Sequence, residues 1–162
     1  MTNTSDATRQ LVRHGIATIA YRGGKAIRGA PNSFATYHIG DKTRTPTQIL
    51  THIGDLFAWA LAAVQGNEEW HESAPLSWTA ETERFFSTLK KFDDYLAAAQ
   101  PIQLSAEKLL QSPIADSLTH IGQIAMLRRL AGSPILGENY LLAEITVGRV
   151  GADQAKPVGE FE

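Results

Sequence analysis

Apolar positions recur along this chain at spacings of three and four residues, the repeat of one face of an α-helix. The clearest run is Ile49, Ile53, Leu56, Phe57, Ala60, Leu61 and Val64. Before it stands Thr45-Pro46-Thr47-Gln48, which combines an N-cap threonine, proline at the first helical position and a capping-box glutamine. Gly66 is placed to end that helix. Phe85, Leu89, Phe92 and Leu96 predict another helix from about Thr79 to Gln100, stopped by Pro101. Val12, Ile16, Ile19 and Ile27 mark the first helix, which starts after Ser5 or Asp6. Gly23 and Gly24 weaken its second half by roughly 1 kcal/mol each relative to alanine.

Ser112-Pro113 is the expected start of a fourth main helix, which runs to about Ala131 and ends at Gly132. Weaker signals suggest a short turn or helix over Ser105 to Gln111 and a helical stretch over Glu138 to Val147. The stretches from Ala30 to Thr43 and from Asn67 to Ser77 read as loops. No strand pattern of useful length appears. The expected architecture is an all-α four-helix bundle with short additional helices. It occupies residues 1–147 and is followed by a polar C-terminal tail over 148–162.

Composition narrows the chemistry. Of the 162 residues, 43% are apolar, enough for a core without a disulfide or metal staple. Cysteine is absent, which removes disulfide scaffolds, zinc fingers, iron–sulfur sites and a cysteine nucleophile. Any thiol chemistry here needs a thiol from outside the chain. A net charge of −2 is no footprint for nucleic acid. No run approaches the ~18 apolar residues of a membrane span, and Met1 to Arg9 is polar. The expected location is the cytoplasm. Phosphate-binding glycine loops, the dinucleotide fingerprint, Gly-x-Ser-x-Gly and His-Glu-x-x-His are all missing.

The fourth helix carries the most distinctive chemistry. From Pro113 to Leu127 it has no lysine, arginine or glutamate and reads as buried nearly all round. Its one carboxylate is Asp116, and His120 follows four residues later, one turn along the same face. A buried carboxylate needs compensation. Asp116 can pair with His120, cap the helix start near Ser112, or share a metal with His120. His52, beside the apolar stripe of the second helix, is the third candidate. Both histidines sit in the same local run, Thr51-His52-Ile53-Gly54 and Thr119-His120-Ile121-Gly122, whose glycines leave room for another backbone. Two histidines and a carboxylate from facing helices suit a mononuclear site with open positions. Gln123, near His120, can orient a ligand or a bound water from behind. Against this stands the commoner arrangement, in which a bundle histidine is simply packed or hydrogen-bonded.

Other candidates have plainer readings. His71, His38 and His14 read as loop or surface residues. Asp55, Glu68 and Glu69 read as solvated charges. Trp59, Trp70 and Trp78 wall a pocket or fill core. Arg128-Arg129 is satisfied by the helix dipole.

The run Arg44-Thr45-Pro46-Thr47-Gln48-Ile49-Leu50 leading to His52, together with His120-Ile121-Gly122-Gln123 and Leu127-Arg128-Arg129-Leu130-Ala131-Gly132, resembles the DinB-like, or YfiT-like, superfamily of metal-dependent four-helix bundles. The resemblance extends from the first helix through about Gly132. It implies a histidine ligand on the second helix, matched by His52, and two histidines four residues apart on the last core helix. His120 matches the second of those two, and Asp116 stands where the family more often has the first. The resemblance thus implies His52, Asp116 and His120 as ligands of one divalent transition metal, with zinc, nickel, iron and manganese all compatible.

Two functional classes follow. One is a divalent-metal-dependent enzyme that transfers a small thiol to an electrophile, or performs a related isomerase or hydrolase reaction. The other is a non-catalytic metal- or small-ligand-binding bundle. The expected partners are a small-molecule substrate or small thiol, without nucleic acid or membrane, and the chain is compatible with a homodimer.

Overall fold

The computed structural model describes residues 6–162. Ser5, one of the two expected caps of the first helix, lies outside them. The described residues are mostly helical, with one two-residue strand pair. The main elements are α1 (Asp6–Ile27), α2 (Pro46–Val64), α3 (Trp78–Ala97), α4 (Ala106–Leu109) and α5 (Ala115–Leu130), with β1 (Gly137–Glu138) and β2 (Glu160–Phe161) near the C-terminus.

The four long helices form a ring of contacts: α1 packs on α3 and α5, and α2 packs on the same two helices. Their apolar stripes meet inside. Ile16, Ile19, Ile53, Phe57, Phe85, Leu89, Phe92 and Leu96 are fully buried there. Phe57 and Phe92 meet with centroids 5.8 Å apart. Burial of such side chains is worth roughly 1.5–3 kcal/mol each, which is what holds helices of this length together.

Local signals set most helix ends. The Thr45 hydroxyl accepts from the Gln48 amide at 3.3 Å, and the Gln48 side-chain oxygen accepts from the Thr45 amide at 2.8 Å. That closes the capping box at the start of α2. Gly66 and Gly132 adopt φ of +92° and +76°, the left-handed conformation that terminates α2 and α5. By length and composition α2 is apolar enough to cross a membrane, but 67% of that window is buried against the rest of the protein, as in a core helix.

Two expectations are corrected. Ser112-Pro113 does not open the last long helix. Ser105 caps α4, and a π-helical turn over Leu110–Ile114 joins α4 to α5. Proline lacks an amide hydrogen and crowds the carbonyl one turn earlier. A locally wider turn absorbs both defects, so the helix continues through Pro113. The helix expected over 138–147 is also absent. Gly137 and Glu138 pair antiparallel with Phe161 and Glu160, and a 3₁₀ turn spans Tyr140–Leu142.

Tertiary contacts explain this second departure. A Cβ on Gly137 would lie 2.5 Å from the Phe161 ring, so glycine is what lets that ring seat. Glu138 accepts hydrogen bonds from Tyr21 at 2.5 Å and Lys25 at 2.7 Å, and Lys25 also reaches Glu160 at 2.7 Å. Burial alone would lower the Lys25 pKa, but the two carboxylates outweigh it and raise it. Residues 148–162 are thereby anchored to α1, with Val150 and Ala155 buried.

Candidate metal centre

His52 is set on α2 by the capping box two turns earlier, and α5 carries Asp116 and His120 on one face, one turn apart. Contact between α2 and α5 brings the three together. One ligand atom from each lies within 4.8 Å of the other two. His52 Nε2 is 3.5 Å from Asp116 Oδ2, and His120 Nε2 is 3.3 Å from Asp116 Oδ1. The imidazoles meet edge to face, with centroids 4.7 Å apart.

These separations bear on what the group can do. N–H···O hydrogen bonds cluster near ~2.9 Å and rarely exceed ~3.2 Å. Neither imidazole is closed onto the carboxylate at that distance. Two donors held ~2.1 Å from a tetrahedral ion are about 3.4 Å apart, close to the observed 3.5 and 3.3 Å. The group can therefore hold a metal ion, with two nitrogen donors and one carboxylate.

Gln123 supports this donor set. His120 Nδ1 lies 2.9 Å from the Gln123 side-chain oxygen. That oxygen accepts from Nδ1, and in the neutral ring this leaves Nε2, which faces Asp116, as the lone-pair donor. The His52 pKa is lowered: burial disfavours its charged form, and the nearby Arg44 charge adds to that, outweighing Asp116. The Trp70 ring stands against His52 with centroids 5.7 Å apart.

The burial of the site differs from expectation. His120 and His52 expose only 12% and 22% of their side chains, but Asp116 exposes 41%. The reason is that α5 is not enclosed all round. Gly122 is exposed, and Gln123, Met126 and Leu130 face outward along an open cleft. The carboxylate is wet on one side and does not need a metal to be tolerated there. The matching Thr-His-Ile-Gly runs also do different things. A Cβ at Gly54 would meet the Arg84 guanidinium at 3.1 Å, so the glycine makes room for a side chain rather than a backbone. A Cβ at Gly122 would meet nothing within 4 Å.

Asp55 is not the solvated charge that its type suggested. It is buried, pairs with Arg84 from α3, and accepts from the Ser73 amide at 3.0 Å and hydroxyl at 2.7 Å. Burial pushes its pKa up, but the hydrogen bonds from Arg84 and Ser73 outweigh that and hold the carboxyl below its ordinary range. This cluster ties the 67–77 segment to α2 and α3, and that segment carries Trp70. A carboxylate inside an apolar stripe, with an arginine on the next helix, was the signal available in the sequence.

Arg128 is likewise buried. Its guanidinium donates to the carbonyls of Ala26 at 3.0 Å and Arg28 at 3.1 Å, closing the C-terminal end of α1. His71, with 76% of its side chain exposed, stays outside the site, and His14 and His38 are also exposed. Trp59 and Trp78 pack partly buried against the core, Trp78 edge-on to Phe34. Protein-family profiles, curated proteins and solved structures were each compared with the chain, and none matches it.

Proposed function

We propose that this protein is a DinB-like four-helix bundle that binds one divalent transition metal at His52, Asp116 and His120 and uses it to activate a small nucleophile. The observation that carries this reading is the convergence of three ligand atoms within 4.8 Å of one another, at spacings too long for simple hydrogen bonds. Both imidazoles turn Nε2 toward the same carboxylate.

The residues divide the work. His52 and His120 act as neutral nitrogen donors, and Asp116 supplies negative charge that offsets part of the ion's. Gln123 holds the His120 tautomer. Trp70 shields the outer side of His52. Three protein ligands leave coordination positions free for substrate. A divalent ion held there lowers the pKa of a thiol or water that binds it, so that a nucleophile exists near neutral pH. With no cysteine in the chain, the thiol is a separate substrate, and transfer to an electrophile is the favoured reaction. Hydrolysis uses the same open position with water.

The first test is metal content. Protein purified without a metal-affinity tag and dialysed against zinc, nickel, iron(II) or manganese should retain about one ion per chain. His52→Ala and His120→Ala should each lose most of it, and His71→Ala should behave as the parent. Equal retention in all four proteins would remove the assignment. The loaded protein should then accelerate thiol addition to a panel of electrophiles. Metal retention without turnover on thiol or ester panels would make it a binding protein rather than an enzyme.

A further inference from the structure

A cleft of about 430 Å³ opens beside the metal-ligand group, between α5 and the segment that leads into α2. It lies at the small end of the ~300–1,000 Å³ range of ligand sites. One wall is apolar and wet: Ile39, Met126 and Leu130 are 58%, 54% and 52% exposed. Large apolar side chains that remain exposed together around one concavity mark a binding surface more often than chance placement does.

The polar lining is one-sided. Lys42 and Arg44 stand in the cleft, and no aspartate or glutamate lines it. Among the described residues neither cation has a hydrogen bond or ion pair. That contrasts with Lys25, Arg13 and Arg84, each of which is paired with a carboxylate. His120 and Gln123 line the same cleft, so a molecule seated in it lies against the metal-ligand group. Arg44 also lines the smaller hollow that contains His52, and so borders both histidines.

We infer that this cleft binds a small organic acid, its carboxylate held by Lys42 and Arg44 and its apolar body laid on Ile39, Met126 and Leu130. A neutral apolar ligand would leave both cations unpaired, and a cationic one would be repelled. Arginine is suited to hold a carboxylate through two parallel hydrogen bonds. The assignment of this acid as the substrate rests on the proposed function, because it is the metal-ligand group that the acid would face. Binding of the acid does not depend on a metal.

The chain contains two methionines, Met1 and Met126, which gives a direct reporter. The whole protein, labelled with methyl-¹³C methionine and freed of metal by chelation and buffer exchange, is titrated with 4-phenylbutyrate, 4-phenylbutanol and 4-phenylbutylamine. Met126→Leu assigns the two resonances. The acid should shift the Met126 methyl and bind about tenfold or more tighter than the alcohol. Lys42→Gln with Arg44→Gln should bring the acid down to the alcohol's affinity and leave the alcohol unchanged. Lys42→Glu with Arg44→Glu should transfer the preference to the amine. Both residues are exposed, and circular dichroism verifies that the variants fold. Equal affinity for acid and alcohol, an unmoved Met126 methyl, or an acid preference that survives both double substitutions would overturn the inference. A protein that takes no metal yet prefers the acid would sink the proposed function and leave this binding site standing. Metal retention without acid preference would do the reverse.

Discussion

Gly23 and Gly24 are neighbours on α1, yet alanine at the two positions should change stability in opposite directions. Helix propensity alone gives each substitution a gain of ~1 kcal/mol. Gly24 has space for the new methyl: its Cβ would meet Gln154 and Phe86 side chains at 3.6 Å, ordinary van der Waals contact. Gly24→Ala should therefore keep the gain. At Gly23 the Cβ would lie 2.4 Å from Phe85 Cζ and 3.3 Å from Ile121 Cδ1. Phe85 is fully buried and has nowhere to swing. Overpacking of this kind costs ~1–3 kcal/mol, so the net effect of Gly23→Ala is a loss of about 1 kcal/mol.

The two variants should thus differ by about 2 kcal/mol. At an m-value of ~2 kcal/mol per molar urea, their unfolding midpoints separate by about 1 M, with the parent between them. Urea titration followed by circular dichroism reads this directly. Ile121 is the neighbour of His120, so the displaced contact also lies next to a proposed ligand. Gly23→Ala should weaken metal retention, and Gly24→Ala should not. A Gly23→Ala protein as stable as the parent, or a Gly24→Ala protein less stable, would refute the steric argument.

Three further outcomes follow from buried charge and from ligand support. Asp55→Asn should cost about 3 kcal/mol at pH 7, because it removes the closer of the two carboxylates beside Arg84 and leaves only Glu81, at 3.5 Å. The Asp55 pKa is depressed in the folded state, so its stabilisation is complete above the unfolded value near ~3.9 and is lost as pH falls through the folded value. Urea midpoints at pH 7 and pH 3 should show the gap between parent and variant narrowing, and a gap that stays constant argues against the pair. Glu138→Gln should lower stability by about 3 kcal/mol and Glu160→Gln by less than about 1 kcal/mol, since both hold Lys25 but their side chains are 0% and 36% exposed; equal thermal shifts would contradict this. Gln123→Met should reduce metal affinity about tenfold or more, with the thermal midpoint of the metal-free protein unchanged, because it removes the acceptor for His120 Nδ1 and no core contact; competition with a chelating dye measures it.

The helices were legible in the order of residues because their causes are local. The stripe from Ile49 to Val64, the capping box at Thr45 and Gln48, and the left-handed glycines at 66 and 132 act within a turn or two of backbone. His52, Asp116 and His120 could also be named as one group, since Asp116 and His120 share a helix face by periodicity alone. Whether His52 meets them depends on how α2 and α5 pack, and no local pattern encodes that contact. The same limit explains the departures. Pro113 looks like a start signal until the π turn shows that the chain on its N-terminal side is already helical. Residues 138–147 carry a helical pattern, but Tyr21 and Lys25, more than a hundred residues away, hold Glu138 in a strand. Asp55 and Arg128 carry the charges of surface residues and are buried because partners on distant segments satisfy them. Hydrophobic periodicity and capping are short-range and survive in a linear reading; paired charge in a core and space beside a glycine are settled only when distant segments come together.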